Sequence, residues 1–575
     1  MSRRAILGVA ALYYAVFIAR TAFIFDGRVV FTLFDEAMIS MRYARHLAEG
    51  HGAVWNAGGP AVEGYTNPLW MVVMAAIHAG GAGDFTASLF VAVAGGLLLA
   101  AAAVLAARIA STLTSVDGAA LAALALTAAD YSMVFWSLRG MEVSLLAVSV
   151  AAMVLLALRH LDEPSAGRVL GMCACAALAM LTRRDAAVAV IACAVYLFAA
   201  TSGRWRWRAV AALLATIAVV QGAHMAVSNW YFGDPWPNTY YLKLEGVSLQ
   251  TRLARGLPAA ALAVVRHVGP LLLVAAALWR RDVRRRVALP LLVAGGQLAY
   301  SAYVGGDAWE YMGYANRYIA IAVPVLCAAA AAGVVELAGD GRRVQRVAWV
   351  LAAIAIARLA ADAVLIAYGR GIDRVASDVV LVGLPAGAAA AALIVAMRLG
   401  KRVHPGLTVQ PIIALLAAQL WIVGSGTATA SWALNNASAA KDDMRYAQAG
   451  LAVRRHTADD AVIAVTMAGS IPYFSRRAAI DILGKSDPVI ARMPPVQEFH
   501  PGHNKWNLQH SIAGPRPDLI WGLPRRAGQV RYLVDLGYEP WPGSVFALRD
   551  SVGIDRPALA EALQRIYPDI PPRRE

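Results

Sequence analysis

The chain has 575 residues, 59% of them apolar and only 15% charged, with a formal net charge of +15. Its mean hydropathy of +0.55 excludes an ordinary soluble globular protein and indicates an integral membrane protein with length left for one soluble domain. The pI near 9.8 does not indicate nucleic acid as a partner, because most arginines sit in short clusters between apolar segments, a topology signal.

Residues 5–25 are apolar after Ser2-Arg-Arg4, carry Arg20 and end in Phe25-Asp26 without a small-residue cleavage site. They read as a retained first helix and not a cleaved signal peptide. Further spans are expected near 85–107, 118–131, 143–157, 169–181, 187–200, 208–228, 257–278, 287–303, 318–337, 347–366, 378–397 and 411–431. A lipid core takes about 20 apolar residues per helix, fewer for short or protein-buried spans. Residues 69–82 are apolar but short and end in Gly80-Gly81, as a re-entrant or interfacial piece would. The four cysteines, Cys173, Cys175, Cys193 and Cys327, lie inside apolar segments and read as small buried side chains.

The charges orient this trace. With a cytoplasmic N-terminus, the inner loops hold Arg3/Arg4, Arg108, Arg159/Arg168, Arg204/Arg206/Arg208, Arg280 to Arg286, Arg342/Arg343/Arg346 and Arg398/Lys401/Arg402. These loops are short, so the positive-inside rule applies to them. The outer face then receives 26–68, 132–142, 182–186, 229–256, 304–317, 367–377 and everything from 432 on. From 432 the long apolar runs stop. Strand-like runs at 461–465, 478–483, 518–521 and 545–548 and helical stretches near 441–456 and 556–566 read as a small α/β domain. The expected fold is an all-α polytopic membrane domain of about 11–13 transmembrane helices, residues 1–431, followed by an extracytoplasmic α/β domain, residues 432–575.

The first outer loop carries the most chemistry. Asp35-Glu36 stands where the chain leaves the membrane. A short amphipathic helix follows, with Ala37, Met38, Met41, Leu47 and Ala48 on one face and Arg42, Arg45, His46 and Glu49 polar. Gly50 and Gly52 can end it with a left-handed turn. Asp35 reads equally as an N-cap and as a reacting carboxylate. Beyond it the outward polar set is Glu63, Tyr65, Asn67, Arg139, Glu142, Arg183, Arg184, Asp185, Asp234, Asn238, Lys243, Asp307, Glu310 and Arg317. Each has a plain reading: a turn at Glu63-Gly-Tyr-Thr-Asn-Pro68, an interfacial aromatic belt at 230–243, a structural ion pair at Arg183-Arg184-Asp185. Together, cations near acids under aromatic cover suit an anionic amphiphile beside a reacting hydroxyl. In the outer domain, His500 and His503 can be metal ligands or part of a loop over an acceptor. There Trp506 would stack on a sugar face, and His503, Lys505 and Asn507 would hydrogen-bond its hydroxyls.

This order of features resembles the GT-C class of membrane glycosyltransferases. Within the first outer loop, Phe34-Asp-Glu-Ala-Met38, Arg42-Tyr-Ala-Arg45, Leu47-Ala-Glu-Gly-His-Gly52 and Val62-Glu-Gly-Tyr-Thr-Asn67 resemble the AftB-type arabinofuranosyltransferases of the mycobacterial cell wall. The detailed likeness covers about 40 residues; Asp-Glu stands where that family commonly has Asp-Asp. The resemblance implies a polyprenyl-phosphate-linked sugar, D-arabinofuranose, as donor. It implies a hydroxyl of an envelope glycan or glycoconjugate outside the cytoplasmic membrane as acceptor, and inverting transfer. In that reading Asp35 is the base and Glu36 and Glu63 support it. Arg184, Lys243 and Arg317 meet the lipid phosphate, with Arg42, Tyr65, Asn67, Arg139, Glu142 and Asp307 in the substrate site. A divalent cation (Mg, Mn or Ca) on Asp35 and Glu36 is an open alternative. The other readings are a mannosyl- or aminoarabinosyltransferase, a polymer ligase, and a transporter or scaffold with an outer binding domain.

Overall fold

The protein, a computed structural model, is described over residues 2–266, 281–310, 316–338, 427–523 and 528–572, with residues 271, 274, 278 and 425. The predicted spans near 347–366 and 378–397, most of 411–431 and the end of 257–278 lie outside the described residues, as do the outer loop 367–377 and the basic clusters at 342–346 and 398–402.

Helix α1 (Arg3–Ala19) starts at Ser2, whose hydroxyl accepts the Ala5 N–H. It ends six residues before the predicted end of the first span. The apolar run continues as strand β1 (Ala22–Phe25), paired antiparallel with β2 (Arg28–Phe31). Asp26 and Gly27 make the turn with φ of 49° and 73°, the two positive values that a tight hairpin of this hand requires. Helix α2 (Asp35–Ala48) is the predicted outer helix, and Gly50 and Gly52 follow it with φ of 84° and 85°. Helix α3 (Pro68–Ala79) is the short apolar piece, with Pro68 in its first turn.

The bundle continues with α4 (Ala87–Leu113), α5 (Asp117–Ala129), α6 (Tyr131–Leu138), α7 (Val143–Asp162), α8 (Ala166–Thr182), α9 (Ala187–Ala200), α10 (Gly203–Phe232), α11 (Asn238–Leu244), α12 (Leu249–Arg266), α13 (Arg281–Val304), α14 (Arg317–Ala320) and α15 (Val323–Ala338). Four described helices are long and apolar enough to cross a membrane: Ala87–Leu113, Val143–Asp162, Gly203–Phe232 and Val283–Val304. The α5–α6 pair, bent by 50°, makes a fifth if it is one span. The bend has a local cause: Asp130 leaves helical geometry and its carboxylate accepts the Met133 N–H at 3.0 Å, capping α6. The predicted outer loop 132–142 is therefore mostly helix, and every residue of α6 is buried.

Helices α16 (Thr427–Asn435) and α17 (Ala440–His456) lead into the C-terminal domain. Its sheet contains β3 (Val462–Val465), β4 (Ala478–Asp481), β5 (Leu519–Trp521), β6 (Tyr538–Trp541) and β7 (Val545–Leu548) in the order β4-β3-β5-β7-β6. The β4-β3-β5 part is parallel, and β7 is antiparallel to both β5 and β6. Strand β6 was not legible as a strand; Pro540 within it is tolerated because β6 is an edge. Around the sheet lie α18 (Ser470–Ser475), α19 (Pro488–Arg492), α20 (Gln529–Asp535) and α21 (Arg556–Ile566). Strand alternation splits the sheet between two cores. Ile463, Val465, Leu519 and Trp521 belong to the core that runs on from the membrane helices, whereas Ala464 and Ile520 pack with Phe546, Leu533 and Tyr538 in a second one. The C-terminal domain is thus an extension of the bundle's own core.

Candidate active site

Helix α2 lies between the bundle and the C-terminal domain, and its polar residues face protein, not water. Arg42 is 2% exposed. It donates to Trp55 O, to Pro472 O, to Arg477 O at 2.9 Å and to Asn56 Oδ1 at 2.7 Å, and it lies over the Trp55 ring. Arg45 donates to Tyr473 O at 2.6 Å and stands 3.6 Å from Asp84. These arginines clamp α18 onto α2. Charged hydrogen bonds of this kind are worth roughly 1.5–3 kcal/mol each when both partners are buried.

The acidic pair divides between two environments, because neighbouring residues on a helix point about 100° apart. Phe34, not Asp35, occupies the N-cap position, and Asp35 does not cap its own helix. Its carboxylate accepts the N–H groups of Gly469, at 3.2 Å, and Ser470, at 2.7 Å, where α18 begins. Its own N–H donates to Asp443 at 3.1 Å. A Cβ on Gly469 would lie 1.8 Å from Asp35 O, so only glycine allows this approach. Burial pushes the Asp35 carboxyl above its ordinary range, against the pull of the Ser470 amide and Lys485. Glu36 points the other way. It accepts from Trp309 Nε1 at 2.7 Å and pairs with Arg317. Burial opposes its ionisation, but Arg317, Lys485 and Lys243 hold it well below the usual carboxylate range.

Glu36, not Asp35, lines a cavity where the helical bundle meets the C-terminal domain. This cavity opens to solvent. Its walls come from α2 (Glu36, Ile39, Ser40), the turn at 64–67, Met141, Arg183, α11 (Thr239, Leu242, Lys243), Arg317, and the C-terminal domain's Lys485, Pro501, Gly502 and His503. Two triads support it. Arg317 is held by Glu36 and by Asp307 at 3.0 Å. Arg183 is held by Glu142 at 2.8 Å and Asp185 at 2.9 Å, and Asn67 joins Ser40 to Glu142. The expected ion pair at Arg183–Asp185 is present. Each triad has one cation and two acids. Lys243 and Lys485, by contrast, make no contact ion pair among the described residues, and their charge reaches Glu36 only at longer range.

His503 accompanies them. Its Nδ1 lies 2.9 Å from Pro501 O, so Nδ1 carries the proton and donates. Burial, aided by Lys485 and His500, holds the ring well below its ordinary pKa. Nε2 is therefore a bare acceptor, and it has no partner among the described residues.

Of the residues expected in a substrate site, the structure brings Glu36, Tyr65, Asn67, Lys243, Arg317 and His503 to one cavity, with Glu142 and Asp307 directly behind. It places the others elsewhere. Arg42 is the clamp described above. Arg139 is buried against Asp443. Glu63 and Arg184 stand 3.8 Å apart in a cluster with Ser228 and His224. Lys505 donates to three backbone carbonyls, Tyr241, Glu245 and Ala491, and pins its loop. Trp506 is buried in the second core and is not a stacking platform. Asp35 and Glu36, the pair that could hold a divalent ion, are engaged by different partners, the amides where α18 begins and Arg317 with Trp309. Among the described residues no group of three or more His, Cys, Asp or Glu side chains gathers to hold one. Lys485 was not read from the sequence; Gly484-Lys-Ser486 just beyond a predicted strand end is the signal that marks it.

Residues 434–561 match a family described as a domain of unknown function, DUF8728. No curated protein matches the sequence. The fold is similar to the crystal structure of ArnT from Cupriavidus metallidurans in the apo state, with TM-score 0.59 and 15% identity over 93% of this chain and 96% of that one. The crystal structure of ArnT from Cupriavidus metallidurans bound to undecaprenyl phosphate gives TM-score 0.50 and 14% identity over 84% and 86%. At these identities the likeness is one of fold. The chain has a GT-C-like helical membrane architecture with a small C-terminal α/β domain.

Proposed function

We propose that this chain is a glycosyltransferase that moves a sugar from a polyprenyl-phosphate donor to a hydroxyl of an envelope glycan or glycoconjugate on the outer face of the cytoplasmic membrane. The observation that carries this reading is the cavity itself. One ionised carboxylate, Glu36, shares it with an ammonium, Lys243, that makes no contact ion pair among the described residues. The structural neighbour bound to undecaprenyl phosphate supports a lipid phosphate as the donor's carrier. The likeness of the first outer loop to AftB-type enzymes supports D-arabinofuranose as the sugar.

The chemistry is a single displacement. The acceptor oxygen attacks the anomeric carbon from the face opposite the phosphate, and Glu36 takes its proton as the new bond forms. The bond from the anomeric carbon to the phosphate oxygen breaks, and the configuration inverts. Arg317 makes Glu36 a weak base, so proton transfer comes late, when the acceptor oxygen is already acidified by bonding. The leaving group changes from a phosphodiester with one negative charge to a phosphomonoester that gains a second. A cation beside it stabilises the transition state more than the ground state, which is what accelerates a reaction. Lys243 is placed for that role. Arg317 is not the main phosphate ligand, because Glu36 and Asp307 already meet its charge. The bare Nε2 of His503 accepts a hydroxyl of the bound sugar.

The test is turnover by the purified full chain of a panel of polyprenyl-phosphate sugars, with no ion gradient present. Release of polyprenyl phosphate with formation of an inverted glycoside is expected. No turnover of any donor, together with gradient-driven movement of a solute, would establish the transporter reading instead.

A further inference from the structure

The C-terminal domain reaches into the cavity through the segment Pro501–His503 and through the loop Asp481 to Asp487, which leaves β4. The loop's shape is fixed from both sides. From within, the buried Asp481 carboxylate accepts the N–H groups of Leu483 and Gly484, both at 3.1 Å, and of Ser486 at 2.7 Å. From the membrane domain, the Asn238 side chain donates to the carbonyls of Gly484, Lys485 and Asp487 at 2.9, 3.2 and 3.1 Å. Asn238 is itself held, its N–H donating to Glu63 O at 2.9 Å. Tyr43 donates to Ser486 Oγ at 3.3 Å. A Cβ on Gly64 would lie 2.4 Å from Ser486 Oγ and 3.1 Å from Lys485 O, so the two domains meet here with no room for a side chain.

All this fixes the backbone of one residue whose side chain has nothing to hold. Lys485 is 7% exposed and lines the cavity beside Glu36, Lys243 and His503. Its ammonium has no hydrogen-bond acceptor or carboxylate partner among the described residues. Glu36, Asp35 and Asp481 feel its charge without pairing with it, and an ammonium held with no contact partner persists where a task or a ligand requires it. The two arginines of the cavity cannot supply free positive charge, since each sits between two acids. The two lysines can.

We propose that Lys485 binds the phosphate of the donor, and of the departing polyprenyl phosphate, together with Lys243, so that the site is complete only with the C-terminal domain docked. Asn238 and Asp481 are positioning residues that hold the lysine there. This rests on the lipid-phosphate reading above and assigns a role to the segment that matches the domain of unknown function. The fit is one of charge. A second ammonium matches the second negative charge that appears on the phosphate as the sugar leaves.

The test measures binding of undecaprenyl phosphate to the purified full chain in nanodiscs. Lys485→Gln should weaken binding about tenfold or more, the worth of one charge-assisted hydrogen bond. Lys485→Arg should recover most of it. Arg565→Gln, an exposed charge change on the same domain, should bind like the wild type. Equal affinity of Lys485→Gln and wild type overturns the proposal and leaves the donor reading standing. No binding by the wild type overturns both. If Lys485→Gln does not fold, the wild type alone decides: undecaprenyl phosphate should protect Lys485 from amine acylation, read by peptide mass spectrometry. Unchanged labelling of Lys485 at saturating lipid overturns the proposal.

Discussion

Glu36→Gln separates the two acids of the pair most directly. The substitution keeps the size of the side chain and an amide oxygen for Trp309 Nε1, which now donates at 2.7 Å. It removes the charge and the proton acceptor. Arg317 loses one of its two acids and keeps Asp307 at 3.0 Å. Breaking a buried ion pair costs about 3–5 kcal/mol when the remaining charge has no other partner. Here it has one, so the loss of stability should stay below about 3 kcal/mol. The chemical effect should be of similar size in free energy: a fall in kcat of about 10²-fold or more, the usual scale for removing a general base. Asp35→Asn should behave differently. Its carboxylate serves the amides of Gly469 and Ser470, and an Asn oxygen can serve only one of them. The cost is roughly 1–3 kcal/mol for the amide left without an acceptor, with kcat per folded molecule close to wild type. The assay is single-donor transfer in nanodiscs alongside thermal unfolding of each variant. Near-normal kcat for Glu36→Gln, or an inactive Asp35→Asn with an unchanged unfolding midpoint, would refute the assignment and return the base to Asp35.

Three further outcomes follow from the geometry and the sequence. Lys243→Ala should raise KM for the lipid-linked donor about tenfold, because it removes a charge-assisted contact to the phosphate, while leaving the unfolding midpoint unchanged. Stability should depend on pH through His46. It is buried with Nδ1 at 2.9 Å from Val54 O, and burial together with Arg42, Arg45 and His51 pulls its pKa down to about 3. The unfolded chain takes up that proton near pH 6.5, roughly the ordinary value, so folding is favoured above that pH and loses ground between about 6.5 and 3. The unfolding midpoint should therefore fall from pH 7 to 4.5, and His46→Gln should flatten the curve. Finally, reporter fusions after Arg286 and after residue 440 should report opposite sides of the membrane, because the arginine clusters between the apolar segments alternate that way; matching sides would sink the topology.

Much of the fold was legible because lipid imposes a coarse rule. Apolar runs of span length are helices in the structure at 87–113, 143–162 and 203–232, near where hydropathy placed them. The C-terminal domain's strands were legible from short β-branched runs between turns, and β6 was missed because Glu539 and Pro540 break that pattern. The hairpin at 22–31 was missed for a different reason. Ala22-Phe-Ile-Phe25 is as apolar as the helix before it, so hydropathy cannot find the helix end; only Asp26-Gly27 marks it. The cavity's cations were half legible. Lys243 and Arg317 stand in loops that topology assigns outside. Lys485 lies more than 240 residues from Lys243, and only tertiary docking brings them together.

The division of the acidic pair shows where local reading ends. Asp35 and Glu36 are adjacent, acidic and at the start of one helix, so sequence treats them as a unit. What separates them is the rotation of α2 about its own axis. That rotation is set by Arg42 and Arg45 gripping Pro472, Tyr473 and Arg477, partners more than 400 residues away. With those arginines turned to the C-terminal domain, Asp35 meets the start of α18 and Glu36 meets Arg317 and the cavity. The helix face that looked solvated is an interface. The same contacts that dock the C-terminal domain therefore choose which carboxylate faces the cavity and carry Lys485 to its edge, so docking and the assembly of the site are one event.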